Sequence, residues 1–204
     1  MNVPDSMDLS CAEKFSDPFS YVVVRQPFTH DLSIRLLQWL ETEDSWKFVE
    51  TDFYEQYEFS FSDVSLPENF SFFRDSSYLS SLKSKFETLF SVSLREQMDI
   101  VAHKLVSGHR IRIHNDYIPG HETHRLTIQL NRGLRDDWGG WFVLFDGSNP
   151  ENIHKIFRPL HNTALGFAIS ERSHHAVSPF SGGERYTLIF SLYEENFGEE
   201  RPDR

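Results

Sequence analysis

Cysteine is almost missing from this chain. Cys11 is the only one among 204 residues, so no internal disulfide can form and no thiolate cluster is available for zinc. Long apolar runs are also missing: none approaches the roughly 20 residues of a membrane span, and a membrane is not an expected partner. The opening MNVPDSMDLSCAEKFSD has neither the basic nor the apolar region of a secretory leader. A reducing cytoplasm is therefore the expected location, and the sequon Asn69-Phe70-Ser71 is read as incidental. Positive charge is scarce as well. Twenty Lys and Arg face 31 Asp and Glu, for a net charge of -11 and a pI near 5.3. A phosphate backbone needs a concentrated Lys/Arg surface, so nucleic acid is not an expected partner either.

What the chain has in plenty is aromatic and aliphatic bulk: 39% of residues are hydrophobic and 19 are Phe. That load fits a packed core, and the length fits one domain spanning residues 1–204. Residues 1–16 and the acidic tail 194–204 are polar and aperiodic, and are expected to be mobile. Helical spacing marks DLSIRLLQWLET, with Asp31 as expected N-cap, and SYLSSLKSKFETLF, where Leu79, Leu82, Phe86 and Leu89 fall on one face. Residues 17–97 are accordingly read as a helical support region. From about residue 98 the period changes to two. RLTIQLN, GWFVLFD, TALGFAIS and RYTLIFSLY are separated by Gly, Pro, Asn and Asp, the pattern of an antiparallel sandwich or barrel. The expected fold is α+β, mainly β, with helices packed on a β-rich body over residues 98–193.

The stretch HNDYIPGHETHRLTIQLN, residues 114–131, holds three of the ten histidines. In an extended chain His114 and Asp116 project to one side and can aim an imidazole and a carboxylate at one point. An HxD triplet alone is a weak signal. Far downstream, SHHAVSPFSGGERYTLIFSLY adds His174 and His175 after one predicted strand and Arg185 at the start of another. Two histidines and one carboxylate with open coordination positions describe a facial triad for Fe(II). A guanidinium such as Arg185 offers a planar fork for a small carboxylate and stays charged in a poorly solvated pocket.

Taken together, the order HxD, distal His, then Arg ten residues later resembles the Fe(II)/2-oxoglutarate-dependent dioxygenases, in particular the prolyl 4-hydroxylase-like group. RLTIQLN followed by DDWGGWFVLFDG is similar to that family's strand and Gly-Gly hairpin, and HAVSPFSGGERY to its His-x-Val segment running into Gly-x-Arg-Tyr. The resemblance spans about residues 98–193 and implies a double-stranded β-helix (jelly-roll, cupin-like) core. It also implies Fe(II), 2-oxoglutarate and O2 as cofactors, with His114, Asp116 and His175 as iron ligands and Arg185 holding the far carboxylate of 2-oxoglutarate. His175 is favoured over His174 because the family ligand stands two residues before Val. Gln129 stands where several relatives place a carboxylate-binding Tyr, and its amide can donate the same hydrogen bond. A further family Tyr falls near Lys104. Halogenating relatives lack the carboxylate ligand, so Asp116 favours hydroxylation.

HETH, at 121–124, has the wrong spacing for a zinc motif and follows Pro119-Gly120; it is read as a solvated loop, with His121 and His124 as candidate substrate contacts. His103, His109, His154 and His161 are read as structural or surface residues. The expected activity is hydroxylation of an unactivated C–H bond in a small molecule, amino acid or peptidyl (prolyl) substrate, with 2-oxoglutarate converted to succinate and CO2. The alternatives are a non-catalytic β-helix binding or sensor module and, disfavoured by charge, nucleic-acid demethylation.

Overall fold

Two antiparallel sheets of unequal width face each other, and helices cover the outer side of the wider one. The computed structural model describes residues 7–195. In chain order the elements are β1 (Glu13–Phe15), β2 (Tyr21–Arg25), α1 (His30–Thr42), β3 (Lys47–Glu50), β4 (Glu55–Ser60), α2 (Ser76–Phe90), β5 (Leu94–Val106), β6 (Ile111–His114) and β7 (His124–Leu130). Then follow β8 (Phe142–Phe145), β9 (Ile153–Phe157), β10 (Thr163–Ala168), β11 (His175–Val177) and β12 (Glu184–Glu194), with short 3-10 turns at Glu68–Arg74 and Asp136–Trp138. The eight-stranded sheet runs β1-β2-β10-β7-β12-β5-β4-β3 and the four-stranded sheet β6-β11-β8-β9. This is the double-stranded β-helix with helices on one face. Among the described residues no helix is long and apolar enough to cross a membrane.

Period-two alternation sorts the central strands into two faces. On β7, Leu126, Ile128 and Leu130 are wholly buried, as are Leu188 and Phe190 on β12, and all five join the cluster formed with Leu32, Leu36, Leu37 and Leu40 of α1 and Leu82 and Phe86 of α2. The intervening residues Arg125, Thr127 and Gln129 of β7 and Arg185, Thr187 and Ile189 of β12 face the smaller sheet and line a cavity. Leu105, Phe142, Leu144, Leu165, Phe167 and Val177 form a second apolar cluster between the sheets.

Several boundaries differ from the sequence reading. Residues 7–16, expected to be mobile, bury Met7 completely and place β1 against β2 with Glu13 opposite Val23; residues 1–6 lie outside the described residues. The segment 17–97 is only partly helical. It supplies β2, which pairs with β10, and β3 and β4, which extend the wide sheet beyond β5. These strands are short and take their order from neighbours distant in sequence, so no local period announces them. The β-rich body starts at Leu94, not 98. At the other end Glu194 still pairs with Leu94, and the remainder of the acidic tail, 196–204, lies outside the described residues. Thr29 rather than Asp31 caps α1, its hydroxyl accepting from the Leu32 amide at 3.2 Å, while Asp31 pairs with Arg35 one turn on.

Phe190 ties the layers together, with ring contacts to Phe73 and to Phe86 of α2. Phe190→Ala should lower unfolding free energy by roughly 3–5 kcal/mol, the range for a large-to-small aromatic substitution in a core. Lys47→Ala on the exposed edge strand should stay within about 0.5 kcal/mol. Urea denaturation of the two variants beside the parent protein checks both.

Candidate active site

β6 ends on His114 and β11 begins on His175, and the two are cross-strand partners. Asp116 lies just past the end of β6 with φ +59, a left-handed conformation that Asp tolerates. That turn, rather than continued strand alternation, brings its carboxylate back toward the histidines. The loop is pinned to the approach to β11 by the Ser173 hydroxyl, which donates to the Asn115 carbonyl at 2.8 Å, and by the Asn115 amide, which donates to the Glu171 carbonyl. Asp116 Oδ1 lies 3.3 Å from His114 Nε2 and Oδ2 lies 3.2 Å from His175 Nε2. One donor atom from each of the three residues falls within 4.8 Å of the others.

Proton bookkeeping at this cluster calls for a cation. His114 Nδ1 is 2.8 Å from the Arg112 carbonyl and His175 Nδ1 is 2.7 Å from the Ser173 carbonyl. A carbonyl only accepts, so each Nδ1 carries its proton and a neutral ring turns the Nε2 lone pair toward a carboxylate oxygen. Lone pairs facing one another repel unless a cation stands among them. Burial depresses the His175 pKa and keeps that ring neutral. Burial also opposes ionisation of Asp116, but the Arg125 guanidinium beside it outweighs burial and holds the carboxyl well below the usual carboxylate range. Arg125 Nη1 donates to Asp116 Oδ2 at 2.6 Å, and its Nε and Nη2 clasp Glu122 at 2.9 and 2.6 Å. Aromatic rings wall the imidazoles: Phe142 stacks on His175 at 5.2 Å and Phe53 lies 4.7 Å from His114.

The same cavity, about 340 Å³, reaches Arg185. That side chain is 3% exposed, and among the described residues no carboxylate pairs with it. Its Nη1 donates to Thr187 Oγ1 at 2.9 Å, Thr187 in turn donates to Gln129 Oε1 at 3.2 Å, and Nε is buried without a partner. Burial lowers its pKa to about 10, which still leaves it charged at neutral pH. A buried cation with no counter-charge is costly, and a small carboxylate is the ligand that would complete it. Gly140 allows the close approach of the preceding hairpin. A Cβ there would meet Arg185 Cδ at 3.0 Å and Phe180 at 2.9 Å, and its φ is +69.

Residues 100–193 match the family model of the 2OG-Fe(II) oxygenase superfamily. The chain carries a 2OG-Fe(II) oxygenase domain. Fe(II), 2-oxoglutarate and O2 are accordingly its cofactors, and the two halves of the cavity suit them in turn. In fold the oxygenase is similar to a prolyl-4-hydroxylase of Pseudomonas putida (13% identity, 86% of this chain and 92% of that chain, TM-score 0.69). It is also similar to a prolyl hydroxylase of Trichoplax adhaerens solved with a hypoxia inducible factor peptide fragment (14%, 86% and 84%, 0.65). A third similar structure is the viral collagen prolyl hydroxylase of Paramecium Bursaria Chlorella virus-1 (13%, 85% and 96%, 0.59). Among curated proteins no sequence match was found.

Other expected residues of the oxygenase fall differently. His174 stays out of the cluster: its Nδ1 is buried without a partner, and its carbonyl accepts from Phe145. His121 is exposed on an outer groove beside Tyr117 and Glu122. His124 is neither on a solvated loop nor in the cavity. It opens β7, is 6% exposed, and packs at 4.7 Å against Phe90 of α2. Lys104 points away from the cavity, its ammonium 4.7 Å above the Trp46 ring, and its neighbour His103 faces inward instead. Gln56 and Glu58 of β4, also on the cavity wall, gave no sequence signal. For His103 the alternation Val101, His103, Leu105 was the available clue.

Burial lowers the pKa of His124 to about 4 and that of His103 to about 3, the latter aided by the Arg125 and Arg185 charges. The unfolded chain takes up protons at these rings near the ordinary value of 6.5 while the folded chain resists. Their neutral burial costs nothing above pH 6.5, and stability should fall steadily as pH drops from there toward 4. Urea midpoints of the metal-free protein at pH 7, 5.5 and 4.5 test the trend. A flat profile would contradict it.

Proposed function

We propose that the oxygenase is a hydroxylase. It acts on an unactivated C–H bond of a small molecule, free amino acid or peptidyl residue, prolyl residues included, and converts 2-oxoglutarate and O2 to succinate and CO2. His114, Asp116 and His175 hold the iron, Arg185 takes the far carboxylate of 2-oxoglutarate, and Gln129 offers its amide nitrogen to that carboxylate. The observation that carries this reading is a buried guanidinium without a carboxylate partner in the same cavity as a His-Asp-His cluster. Neither half alone specifies this chemistry; together they match a metal and a dicarboxylate.

When bound, the metal supplies the oxygen activation that amino-acid side chains lack. The chain contributes the rest. Asp116 is kept ionised by Arg125, and the two imidazoles are oriented by their Nδ1 hydrogen bonds to backbone carbonyls. Arg185 and Gln129 fix the cosubstrate from the other end of the cavity. Phe142, Phe167 and Val177 line the space between and exclude water from it. The outer groove of Tyr117, His121 and Glu122 adjoins the His114–Asp116 edge and is the approach for substrate. The likeness in fold to prolyl hydroxylases supports proline and prolyl peptides as the first substrates to test.

Incubation with Fe(II), 2-oxoglutarate, O2 and a substrate library should give succinate together with a product heavier by one oxygen atom. Metal and 2-oxoglutarate binding without any succinate would instead support a sensor module. Asp116→Ala should abolish coupled hydroxylation, because it removes the charged member of a three-residue metal site. Arg185→Ala should weaken 2-oxoglutarate binding by roughly 2–5 kcal/mol, the range for truncating one partner of a buried charge pair. Calorimetric titration of 2-oxoglutarate reads this, and an unchanged affinity would remove Arg185 from the site.

A further inference from the structure

We propose that His103 is a cosubstrate-binding residue, fixed as a neutral Nδ1–H donor by a Glu58–Gln56 relay, and that it donates to an oxygen of 2-oxoglutarate alongside Arg185. The inference rests on the assignment of Arg185 to the cosubstrate.

Register places the residue. Glu58 on β4 stands opposite His103 on β5, His103 opposite Thr187 on β12, and Thr187 opposite Gln129 on β7. Four polar side chains thus form one row across four strands, and all four line the cavity. Thr187, in the middle, already accepts from Arg185 and donates to Gln129. His103 is its neighbour on the other side.

Hydrogen bonding then fixes where the proton sits. Gln56 Nε2 lies 2.7 Å from Glu58 Oε2, and because a carboxylate only accepts, that contact identifies the nitrogen end of the amide. The same nitrogen lies 3.3 Å from His103 Nε2. An amide nitrogen only donates, so His103 Nε2 is the acceptor and the ring proton is on Nδ1. Burial and the nearby Arg125 and Arg185 charges keep the ring from becoming an imidazolium. Nδ1 has no partner among the described residues, and the side chain is 22% exposed where it lines the cavity. A fixed N–H donor in this position recognises a carboxylate or carbonyl oxygen. Such an oxygen could come from the cosubstrate or from a substrate carbonyl; the contiguity with Thr187, Arg185 and Gln129 assigns it to the cosubstrate.

The test uses Zn(II)-substituted protein, which binds without turnover. Two-bond 15N–1H NMR of the imidazoles should show His103 protonated on Nδ1 alone, with its signals shifting on addition of 2-oxoglutarate. His103→Phe should weaken 2-oxoglutarate roughly ten-fold or more by calorimetry, the loss of one hydrogen bond to a charged group. His103→Asn, which keeps an N–H near the Nδ1 position, should restore most of that affinity. Gln56→Leu should shift the tautomer ratio toward Nε2–H. An Nε2–H or imidazolium form in the parent protein overturns the proposal. So does wild-type affinity in His103→Phe while Arg185→Ala loses affinity. Wild-type affinity in both variants would instead show that the cosubstrate reading itself is wrong. Signals of His103 that move with N-acetylprolinamide and not with 2-oxoglutarate would assign the donor to substrate, against the proposal.

Discussion

Three groups that present lone pairs to one another can share a small volume only if something holds the negative one in place. Here that is Arg125, whose guanidinium spans Asp116 and Glu122 through three hydrogen bonds of 2.6–2.9 Å. Burial by itself raises the pKa of Asp116 and favours the neutral acid, which offers a cation less than the carboxylate does. With Arg125 beside it the carboxylate stays ionised, and its second oxygen is engaged by protein. The bidentate grip on Glu122 matters equally, because it fixes the planar guanidinium in direction as well as in charge. Glu122 lies in the loop that also carries His121, so the loop over the outer groove is anchored to the His-Asp-His cluster by the same side chain.

A second division follows from strand period alone. β7 and β12 are adjacent, and apart from Ile189 and His124 each sends its apolar residues to the helices and its polar residues to the cavity. The apolar side is packed by Phe190, Leu126 and their neighbours and stabilises the sheet. That packing leaves the opposite face free to carry charged residues, including a guanidinium with no counter-ion. A one-residue slip of β12 against β7 would exchange Arg185 for Tyr186 and lose the site completely. Register is therefore part of the chemistry, and the helices that fix it act on the site without touching it.

Sequence made the body of this arrangement legible and left its edges dark. The alternating runs from RLTIQLN to RYTLIFSLY declare their faces, and the fold gathers His114, Asp116 and His175 in the cavity that Arg185 also lines. Arg125 was visible only as a polar member of an alternating strand. Its partner sits nine residues earlier beyond a left-handed turn, a relation that no linear spacing encodes. His103 and Lys104 are adjacent, and the phase of β5 against β12 turns Lys104, near which the resemblance set a family Tyr, toward Trp46 and His103 toward the cavity. His124 was misplaced because Pro119-Gly120 suggested a loop that had already ended in β7.

The N-terminal portion was the most misjudged, and for an instructive reason. As support, it would need only helices with an apolar stripe, and α1 and α2 meet that need. Yet β4 does something else. The Glu55 amide donates to Arg110, the Arg112 amide donates to Phe53, and Tyr54 bridges Ile111 of β6. Those contacts join the wide sheet to the narrow one along the edge of the cavity and place Phe53, Tyr54, Gln56 and Glu58 on its wall. The residues of the C-terminal body proposed to hold the metal and the dicarboxylate would be confined by them to few geometries. On the β4 side Gln56 and Glu58 are committed to His103, which leaves Phe53 and Tyr54, with the outer groove, as the part of the cavity free to be shaped by whatever substrate the oxygenase takes.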